Sequence, residues 1–518
     1  MPIKVFFSED IKFLERLAER SGKNTAVLMY NAGRAVADYI LENIITENPE
    51  RKRVCIVAGK GNNGGDGFVI ADILSKYSVK VSVITLYGEP VTKEARNVYE
   101  KALSDGGSNG KIKFFSFDKD KSDCEESILK ADVIVDAVFG FGFKGESDHK
   151  LSRISELSKI SSAVKVSVDI PSGCECDSAK ASYGAFLADH TVTFTALKPA
   201  LVQEPAASYC GKIKVASVGI DKNLVDSCPP AFTLLDENYV SSLIPKRKRD
   251  SNKGDFGRLL MICGTYSMAG ACIMAAKAAL RSGVGLLDIA ISHDIYPIVA
   301  AAVPEAVFTV MNFETEENSK ISGEKLFNSL NKASAVLIGC GLGVDAEKYL
   351  ETVLRFSTVP VILDADALNY TAKNTDILAL ANCPLILTPH PGEMSRLIGK
   401  TVQAVQENRY QTAKKFALEY KVNLILKGAG TIIALPDGEM LLNTTGNPGM
   451  AKGGSGDVLA GICASLTAQG LKPEEASAVS VYVHGKAGDE CAKELSQIAM
   501  LPTDIIEKLP AIYKLLGN

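Results

Sequence analysis

Short β-branched runs alternate with longer amphipathic stretches along most of this chain, and the alternation stops once before starting again. The first series is Val54 to Ala58, Val79 to Leu86, Lys111 to Phe115, Val133 to Asp136 and Val164 to Asp169, with helical periodicity between the runs. Continuous apolar strands separated by helix-length segments belong to parallel sheets covered on both faces by βαβ crossovers. Two helical segments precede this series, the first opening at Ser8 with Glu9 and Asp10 in its first turn. The pattern lapses between Asp221 and Asp250, where Pro229-Pro230, Pro245 and the basic run Lys246 to Arg249 cluster. It resumes with Arg258 to Cys263, Leu286 to Ile291, Ala335 to Ile338, Val359 to Leu363, Leu385 to Thr388 and Asn423 to Lys427. Thr431 to Leu435 and Glu439 to Asn443 then flank Pro436-Asp437-Gly438 as a hairpin, and helical stretches from Asp457 onward close the chain. A length of 518 residues accommodates such a division. We therefore expect two α/β domains, over residues 1–224 and 225–518.

Composition removes several function classes. With 57 basic and 61 acidic side chains the net charge is −4, which gives no electrostatic footprint for nucleic acid. The most apolar stretch, Ala269 to Ile291, is broken by Lys277, Arg281 and Asp288, and Met-Pro-Ile-Lys-Val at the start lacks an apolar signal core. No membrane span is expected. The 12 Cys are scattered, several inside apolar runs as Cys55 and Cys263 are, so a reducing cytoplasm is the expected location. The five His, at 149, 190, 293, 390 and 484, lie too far apart for paired zinc ligation.

The first strand runs straight into Gly59-Lys60-Gly61-Asn62-Asn63-Gly64-Gly65-Asp66-Gly67. Gly59, Gly61 and Gly64 satisfy G-x-G-x-x-G, a turn that holds pyrophosphate at a helix N-terminus, and a purely structural tight turn satisfies it as readily. Two Asn amides and an Asp among the glycines make a richer polar pocket than a phosphate turn requires. Two further apolar strands end in carboxylates, Asp136 before Phe139 to Gly145 and Asp169 before Ile170-Pro171-Ser172-Gly173. In open α/β sheets ligands sit outside the carboxyl ends of the strands, so these ends converge on one crevice.

Together N-N-G-G-D-G, V-D-A-x-F-G, S-V-D-I-P-S-G and the segment Ala188-Asp189 to Leu197-Lys198-Pro199 resemble the epimerase domain of the NAD(P)H-hydrate repair enzymes, over Ser8 to Gly219. The resemblance implies a Rossmann-like three-layer domain that interconverts the R and S forms of hydrated NADH or NADPH. It implies that Asn62, Asn63, Gly64, Gly65 and Asp66 contact the hydrate, as does the loop Gly140, Phe141, Gly142, Phe143, Lys144, Gly145 and Glu146. Asp169 is then the acid/base, and Asn63, Asp136 and Ser172 the ligands of a potassium ion. Tyr30-Asn31-Ala32-Gly33 departs from the family, which commonly has an acidic residue before this Ala-Gly.

In the second half, Asn447-Pro448-Gly449-Met450-Ala451-Lys452-Gly453-Gly454-Ser455-Gly456-Asp457 leads into a helical run. Glycines at a helix start bare backbone N–H groups that, with the helix dipole, can hold a transferring phosphoryl group. Asp457 at that start is placed to take a proton from an attacking hydroxyl, whereas a plain N-cap would leave the surrounding glycines unexplained. Gly399-Lys400-Thr401 is not the end of a Walker loop, because Met394 stands where its first Gly belongs.

Asn252-Lys253-Gly254, Gly264 to Gly270, Gly339-Cys340-Gly341-Leu342-Gly343, Asp364-Ala365-Asp366-Ala367-Leu368-Asn369 and Thr388-Pro389-His390-Pro391-Gly392-Glu393-Met394 resemble the ADP/ATP-dependent NAD(P)H-hydrate dehydratase domain, a ribokinase-like fold. The resemblance covers about Asp236 to Pro510. It implies a hydrate site at Ala271, Gly341, His390, Pro391, Gly392, Glu393, Met394, Ser395 and Arg396. The nucleotide site is then Lys427, Gly428, Ala429, Gly430 and Thr431 with Asn447, Pro448, Gly449, Met450, Ala451, Lys452, Gly453, Gly454, Ser455 and Gly456, and Asp457 touches the reacting end of the hydrate. Asn252 and Cys340 stand where the family usually has His and Pro.

The implied partners are the NADH and NADPH hydrates and ADP or ATP, with magnesium at the dehydratase site, no nucleic acid, no membrane, and a homo-oligomeric assembly. Asp364-x-Asp366 could bind magnesium and is equally a structural turn, so no ligands are assigned. A ribokinase-type small-molecule kinase and a silent nucleotide-binding scaffold are the alternatives. Retention of Asp169 and Asp457 argues against silence.

Overall fold

The computed structural model describes residues 3–107, 110–312 and 314–517. Contacts divide the chain into two compact units, Lys4–Ala231 and Phe232–Asn518, the latter joined by Met1–Ile3. The division falls seven residues beyond the 224/225 boundary expected from the sequence, because the short helix Lys222–Ser227 keeps the chain with the first unit.

A short strand, β1 (Ile3–Val5), and the helices Ser8–Arg20 and Thr25–Asn43 precede the sheet of the first unit. Its strands are β2 (Arg53–Ala58), β3 (Lys80–Thr85), β4 (Ile112–Ser116), β5 (Val133–Ala137), β6 (Val164–Val168), β7 (His190–Phe194) and β8 (Lys212–Ala216). They lie in the order β4-β3-β2-β5-β6-β7-β8, and every pair is parallel. This is the doubly wound Rossmann arrangement, in which the order reverses between β2 and β5 and opens a crevice at their carboxyl ends. The core lies on both faces. Ile56, Val135 and Val168 pack beneath helix Asn62–Lys76 on one side, and Cys55, Val57 and Ile134 pack against Leu151 and Ile154 on the other.

The strands of the second unit are β9 (Phe232–Leu234), β10 (Arg258–Ile262), β11 (Leu286–Ser292), β12 (Val307–Met311), β13 (Ala335–Ile338), β14 (Val361–Leu363), β15 (Leu385–Leu387), β16 (Asn423–Leu426), β17 (Thr431–Ala434) and β18 (Met440–Asn443). From β9 the order is β9-β18-β17-β16-β15-β14-β13-β10-β11-β12. The expected hairpin is the antiparallel pair β17–β18, with Ile432 opposite Leu442, and β16–β17 is antiparallel too. The remaining neighbours are parallel, and the order reverses at β10, between β11 and β13. Helices Ser455–Ala468, Pro473–Ala499 and Pro502–Leu515 follow the sheet.

The stretch Asp221 to Asp250, where the pattern lapses, holds three small elements: helix Lys222–Ser227, β9 and helix Glu237–Leu243. Asp221 and Asp236 start the two helices by accepting from the backbone N–H groups of Asn223 and Tyr239. None of the 12 cysteines forms a disulfide, and no described helix is long and apolar enough to cross a membrane.

Candidate functional sites

In the first unit β2 turns at Gly59 and enters helix Asn62–Lys76, so Asn62, Asn63, Gly64, Gly65 and Asp66 form its opening turns. Any Cβ on Gly64 would sit 1.9 Å from the Gly59 carbonyl oxygen, so the turn closes only with glycine there. Beside this turn β5 delivers Asp136. Its Oδ1 accepts from the Ser172 hydroxyl at 2.6 Å and its Oδ2 from the Ser172 N–H at 2.8 Å and the Ser167 hydroxyl at 2.9 Å. The Ser172 oxygen in turn accepts from the Phe139 N–H at 2.9 Å. The Nδ2 end of the Asn63 amide is buried without a hydrogen-bond partner. Asp136 and Ser172 thus bring carboxylate and hydroxyl oxygens together at the end of β5, and oxygens of this kind suit a hard cation, whereas the unpartnered Asn63 Nδ2 is a donor and points to no cation.

β6 delivers Asp169, held at a φ of 68°. That left-handed conformation is uncommon outside glycine and is best tolerated by Asp and Asn. Its carboxylate is nearly buried and meets Lys198, whose ammonium lies 2.5 Å from Oδ1. Lys198 also donates to the Thr193 hydroxyl at 2.8 Å and the Phe194 carbonyl at 3.0 Å, and Thr193 donates to Asp169 at 3.1 Å. Oδ2 accepts from the Phe141 N–H at 3.2 Å, which ties the loop Gly140–Glu146 to the carboxylate. A Cβ on Gly140 would meet Asn63 Oδ1 at 3.1 Å and Asp169 Oδ2 at 3.2 Å, so Asn63, Gly140 and Asp169 share one pocket floor. Further along the loop, Gly142, Lys144, Gly145 and Glu146 are exposed, while Phe143 packs on Phe139 with ring centroids 5.1 Å apart. Burial pushes the Asp66 carboxyl well up, and the negative charges of Asp169 and Glu15 add to the effect.

In the second unit the crevice lies where β10, β13 and β14 end. Gly341 has a φ of 62° and lies against Ala271, whose Cβ would be 2.8 Å from a Cβ on it. Helix Pro391–Leu397 is capped by His390 and Glu393 together: Glu393 accepts from the His390 N–H at 2.8 Å, and His390 Nδ1 accepts from the Gly392 N–H at 3.0 Å. Arg396 donates to Asn369 at 3.0 Å. Met394 and Ser395 face inward and are buried.

Lys427 ends β16 and reaches Asp364 at 3.0 Å and Glu393 at 3.8 Å. Its ammonium would lie 3.2 Å from a Cβ on Gly456, so a fixed positive charge stands beside the opening of helix Ser455–Ala468. Asp457 is in the first turn of that helix. Burial raises its carboxyl to about 6, and the charge of Asp364 contributes in the same direction. Glu393 is raised to about 7, chiefly by burial, with Lys427 opposing. Several side chains in the expected nucleotide segment hold the fold: Asn447 donates to the Gly488 carbonyl at 2.9 Å, Lys452 to those of Ile498 and Met500 at 2.7 and 2.6 Å, and Ser455 to that of Met450 at 2.7 Å. What they leave for a ligand is backbone, through Gly453, Gly454 and Gly456, since the buried Gly449 N–H is taken by Asn447 Oδ1 at 3.0 Å. On the other loop Arg409 donates to the carbonyls of Leu426, Lys427 and Gly430 at 3.1, 3.3 and 3.2 Å and so braces Gly428 to Thr431 from below.

Four charged groups here carry no assignment from sequence: Lys198 and Glu15 around the first site, Asp364 and Arg409 around the second. Lys198 falls inside a recognised segment and Asp364 opens another, but their ion pairs join elements far apart in the chain. Nothing around Glu15 or Arg409 in the sequence distinguishes them from other charges on helices.

The two sites define a two-unit α/β enzyme: a Rossmann-like unit with a polar, carboxylate-floored crevice, followed by a ribokinase-like unit with a glycine-lined helix N-terminus and an acidic group at its start. The family model described as NAD(P)H-hydrate dehydratase matches residues 259–511, and that described as YjeF-related protein N-terminus matches residues 25–200. The bifunctional NAD(P)H-hydrate repair enzyme of Moorella thermoacetica is 39% identical over 94% of this chain and 92% of its own length. That of Escherichia coli is 33% identical over 99% of this chain and 94% of its own. A solved structure from Bacillus subtilis, an ADP/ATP-dependent NAD(P)H-hydrate dehydratase crystallised with ATP and Mg2+, is 32% identical with a TM-score of 0.48, covering 54% of this chain and 98% of that one. The chain belongs to the family of bifunctional NAD(P)H-hydrate repair enzymes.

Proposed function

We propose that the first unit interconverts the R and S hydrates of NADH and NADPH at Asp169, and that the second restores the reduced nucleotide from the S form with Asp457 as base and ADP or ATP as phosphoryl donor. The observation that carries the second assignment is the placement of Asp457 in the first turn of a glycine-lined helix, beside the Lys427 ammonium. Hydration puts a hydroxyl on the ring carbon next to the nitrogen, and hydroxide is a poor leaving group. Asp457 takes the hydroxyl proton as the oxygen attacks the terminal phosphoryl group, whose charge the helix N–H groups and Lys427 stabilise. The nitrogen lone pair then expels phosphate, and loss of a proton from the neighbouring ring carbon restores the double bond. Magnesium supplies charge neutralisation on the transferred phosphates when bound. Asp364 is committed to Lys427 and Asp366 accepts from the Gly343 N–H at 2.7 Å, so no ligands are assigned to it.

At the first site Asn63, Asp136 and Ser172 would hold potassium, which supplies positive charge to orient the hydrate. Asp169, fixed by Lys198 and Thr193, moves the proton. A homo-oligomer within the cytoplasm is the setting this reading favours. The test is to give the purified protein mixed hydrate epimers with ADP or ATP and follow the absorbance of reduced nicotinamide. Complete recovery of the pool is expected. A phosphorylated product that accumulates without that absorbance would instead mark a kinase.

A further inference from the structure

Helix Ser8–Arg20 lies outside every motif that carries the family resemblance in the first unit, yet it borders the site. Its start is anchored by Asp177, which accepts from the Ser8 N–H at 2.7 Å and the Ser8 hydroxyl at 2.6 Å. One turn on, Ile11 packs in a cluster with Phe6 and Ala196, against which Phe141 rests, and the Lys12 ammonium lies 5.8 Å from the centre of the Phe141 ring. Phe141 is the residue whose N–H donates to Asp169, and Ala196 is two residues from Lys198. Glu15 is four residues beyond Ile11 and three beyond Lys12, which places it on the same helix face. Among the described residues it has no hydrogen-bond or ion-pair partner, although it is partly buried. A partly buried carboxyl without a partner, on a helix face that abuts a reactive crevice, stabilises nothing by being there.

We infer that Glu15 is a second proton-exchanging group of the epimerisation site, working as the acid opposite the Asp169 base. The inference rests on the epimerase reading of this unit and deepens it. Epimerisation of the hydrate requires the configuration at the hydroxyl-bearing carbon to be erased. Asp169 takes the hydroxyl proton, the carbon–oxygen bond becomes a carbonyl, and the carbon–nitrogen bond breaks with its electron pair going to nitrogen. Glu15 gives its proton to that nitrogen. The open aldehyde turns about its bond to the ring carbon beside it, nitrogen adds to the other face, and both protons return. No atom is gained or lost.

The charges around Glu15 suit this division of labour. Asp169 is the carboxylate of a buried ion pair, while Glu15 is pushed up to about 7, first by burial and then by the charge of Asp169. Glu19 adds to the rise, and Lys198 and Lys12 oppose it. Asp66 is raised as well, first by burial and then by the charges of Asp169 and Glu15. A carboxyl that holds its proton more tightly than an ordinary one can serve as the acid in a site whose base is another carboxylate.

The test measures interconversion of purified R and S hydrates directly, with no ADP or ATP present, across pH 5 to 9, for the full-length protein and for Glu15→Gln and Glu15→Asp. We expect the wild-type rate to fall as pH rises through about 7, as Glu15 loses the proton it must donate. Glu15→Gln should lower the rate by about 10² or more and abolish that alkaline fall, with Glu15→Asp recovering part of both. A Glu15→Gln protein that keeps the wild-type rate overturns the inference. So does one that loses rate but retains the alkaline fall, which would assign that limb to Asp66 or another group. A wild-type protein that does not accelerate interconversion at all would refute the epimerase reading instead.

Discussion

Each site sets an acidic residue beside a buried lysine, but the pairing differs. In the first unit the carboxylate we propose as acid/base is itself the lysine's partner: Asp169 and Lys198 are 2.5 Å apart and both nearly inaccessible. In the second the lysine is given to a different carboxylate. Lys427 bonds Asp364 at 3.0 Å, and Asp457 is left to burial, which raises it to about 6. The first arrangement fixes a charge and a geometry. In the second, Asp457, the proposed base, is raised to about 6 and so is mostly ionised at neutral pH, and Lys427 would meet phosphate from within its pair with Asp364. The largest expected effect follows from this separation of roles. Asp457→Asn should slow dehydration by about 10² to 10⁴ and leave epimerisation unchanged, read by the recovery of reduced nicotinamide and by epimer exchange in the same preparation. Near-normal turnover would break the comparison at its second half.

Removing the lysine from the tight pair tests the other half. Lys198→Met leaves the Asp169 carboxylate buried with only Thr193 and the Phe141 N–H, and loss of one member of a buried ion pair typically costs about 3 to 5 kcal/mol. The first unit should melt earlier while the transition of the second stays in place. An unchanged first transition would mean that Lys198 is held for chemistry alone.

A smaller effect sharpens the contrast through stability. The folded state raises the Asp457 carboxyl from 3.8 to about 6, so it binds that proton more tightly than the unfolded chain does. The resulting stabilisation is fully present below about pH 4 and is lost as pH rises through about 6, a difference of at most about 3 kcal/mol. Asp457→Asn carries no such proton. Its second unit should therefore gain stability over wild type as pH rises from 4 to 7 and hold the gain above that. A pH-independent difference would show that burial is not what perturbs this group.

Much of this was legible in the chain because it is local. Apolar strands that end in Asp136 and Asp169, glycines at Gly59 to Gly67 and Gly453 to Gly456, and the acid at 457 are written within a few residues of one another, and each strand end lies at its sheet's crevice by the rule for open α/β sheets. The partners are not local. Lys198 meets Asp169 because β7 lies next to β6, and Lys427 meets Asp364 across β14, β15 and β16, which are sheet neighbours that a motif cannot reveal. The strands His190–Phe194 and Lys212–Ala216 were missing from the sequence pattern for a related reason: each mixes polar with apolar residues over five positions without strict alternation, too short a span for periodicity to register. Arg409 braces its loop through three backbone carbonyls, an interaction that leaves no side-chain signature at the receiving end.

The smallest expected effect is in yield rather than rate, and it concerns the link between the sites. If Asp169 moves the proton that inverts the hydrate, then Asp169→Ala should leave dehydration of the S form intact and make a mixed pool stall as that form runs out, even with ADP or ATP plentiful. Spontaneous epimerisation then sets a slow tail. The bland alternative is that Asp169 only anchors Lys198 and the loop at Phe141. Either loss of the carboxylate leaves the Lys198 ammonium without its ion pair and lowers the first transition, so Asp169→Asn, which keeps a polar side chain for the Phe141 N–H, is compared with Lys198→Met, which breaks the same pair and keeps the carboxylate. A stall in Asp169→Asn measured below its first transition, with Lys198→Met still converting the whole pool, supports proton transfer. Complete conversion of the pool by Asp169→Asn, well ahead of the spontaneous tail, would remove Asp169 from the chemistry and leave it a structural partner of Lys198.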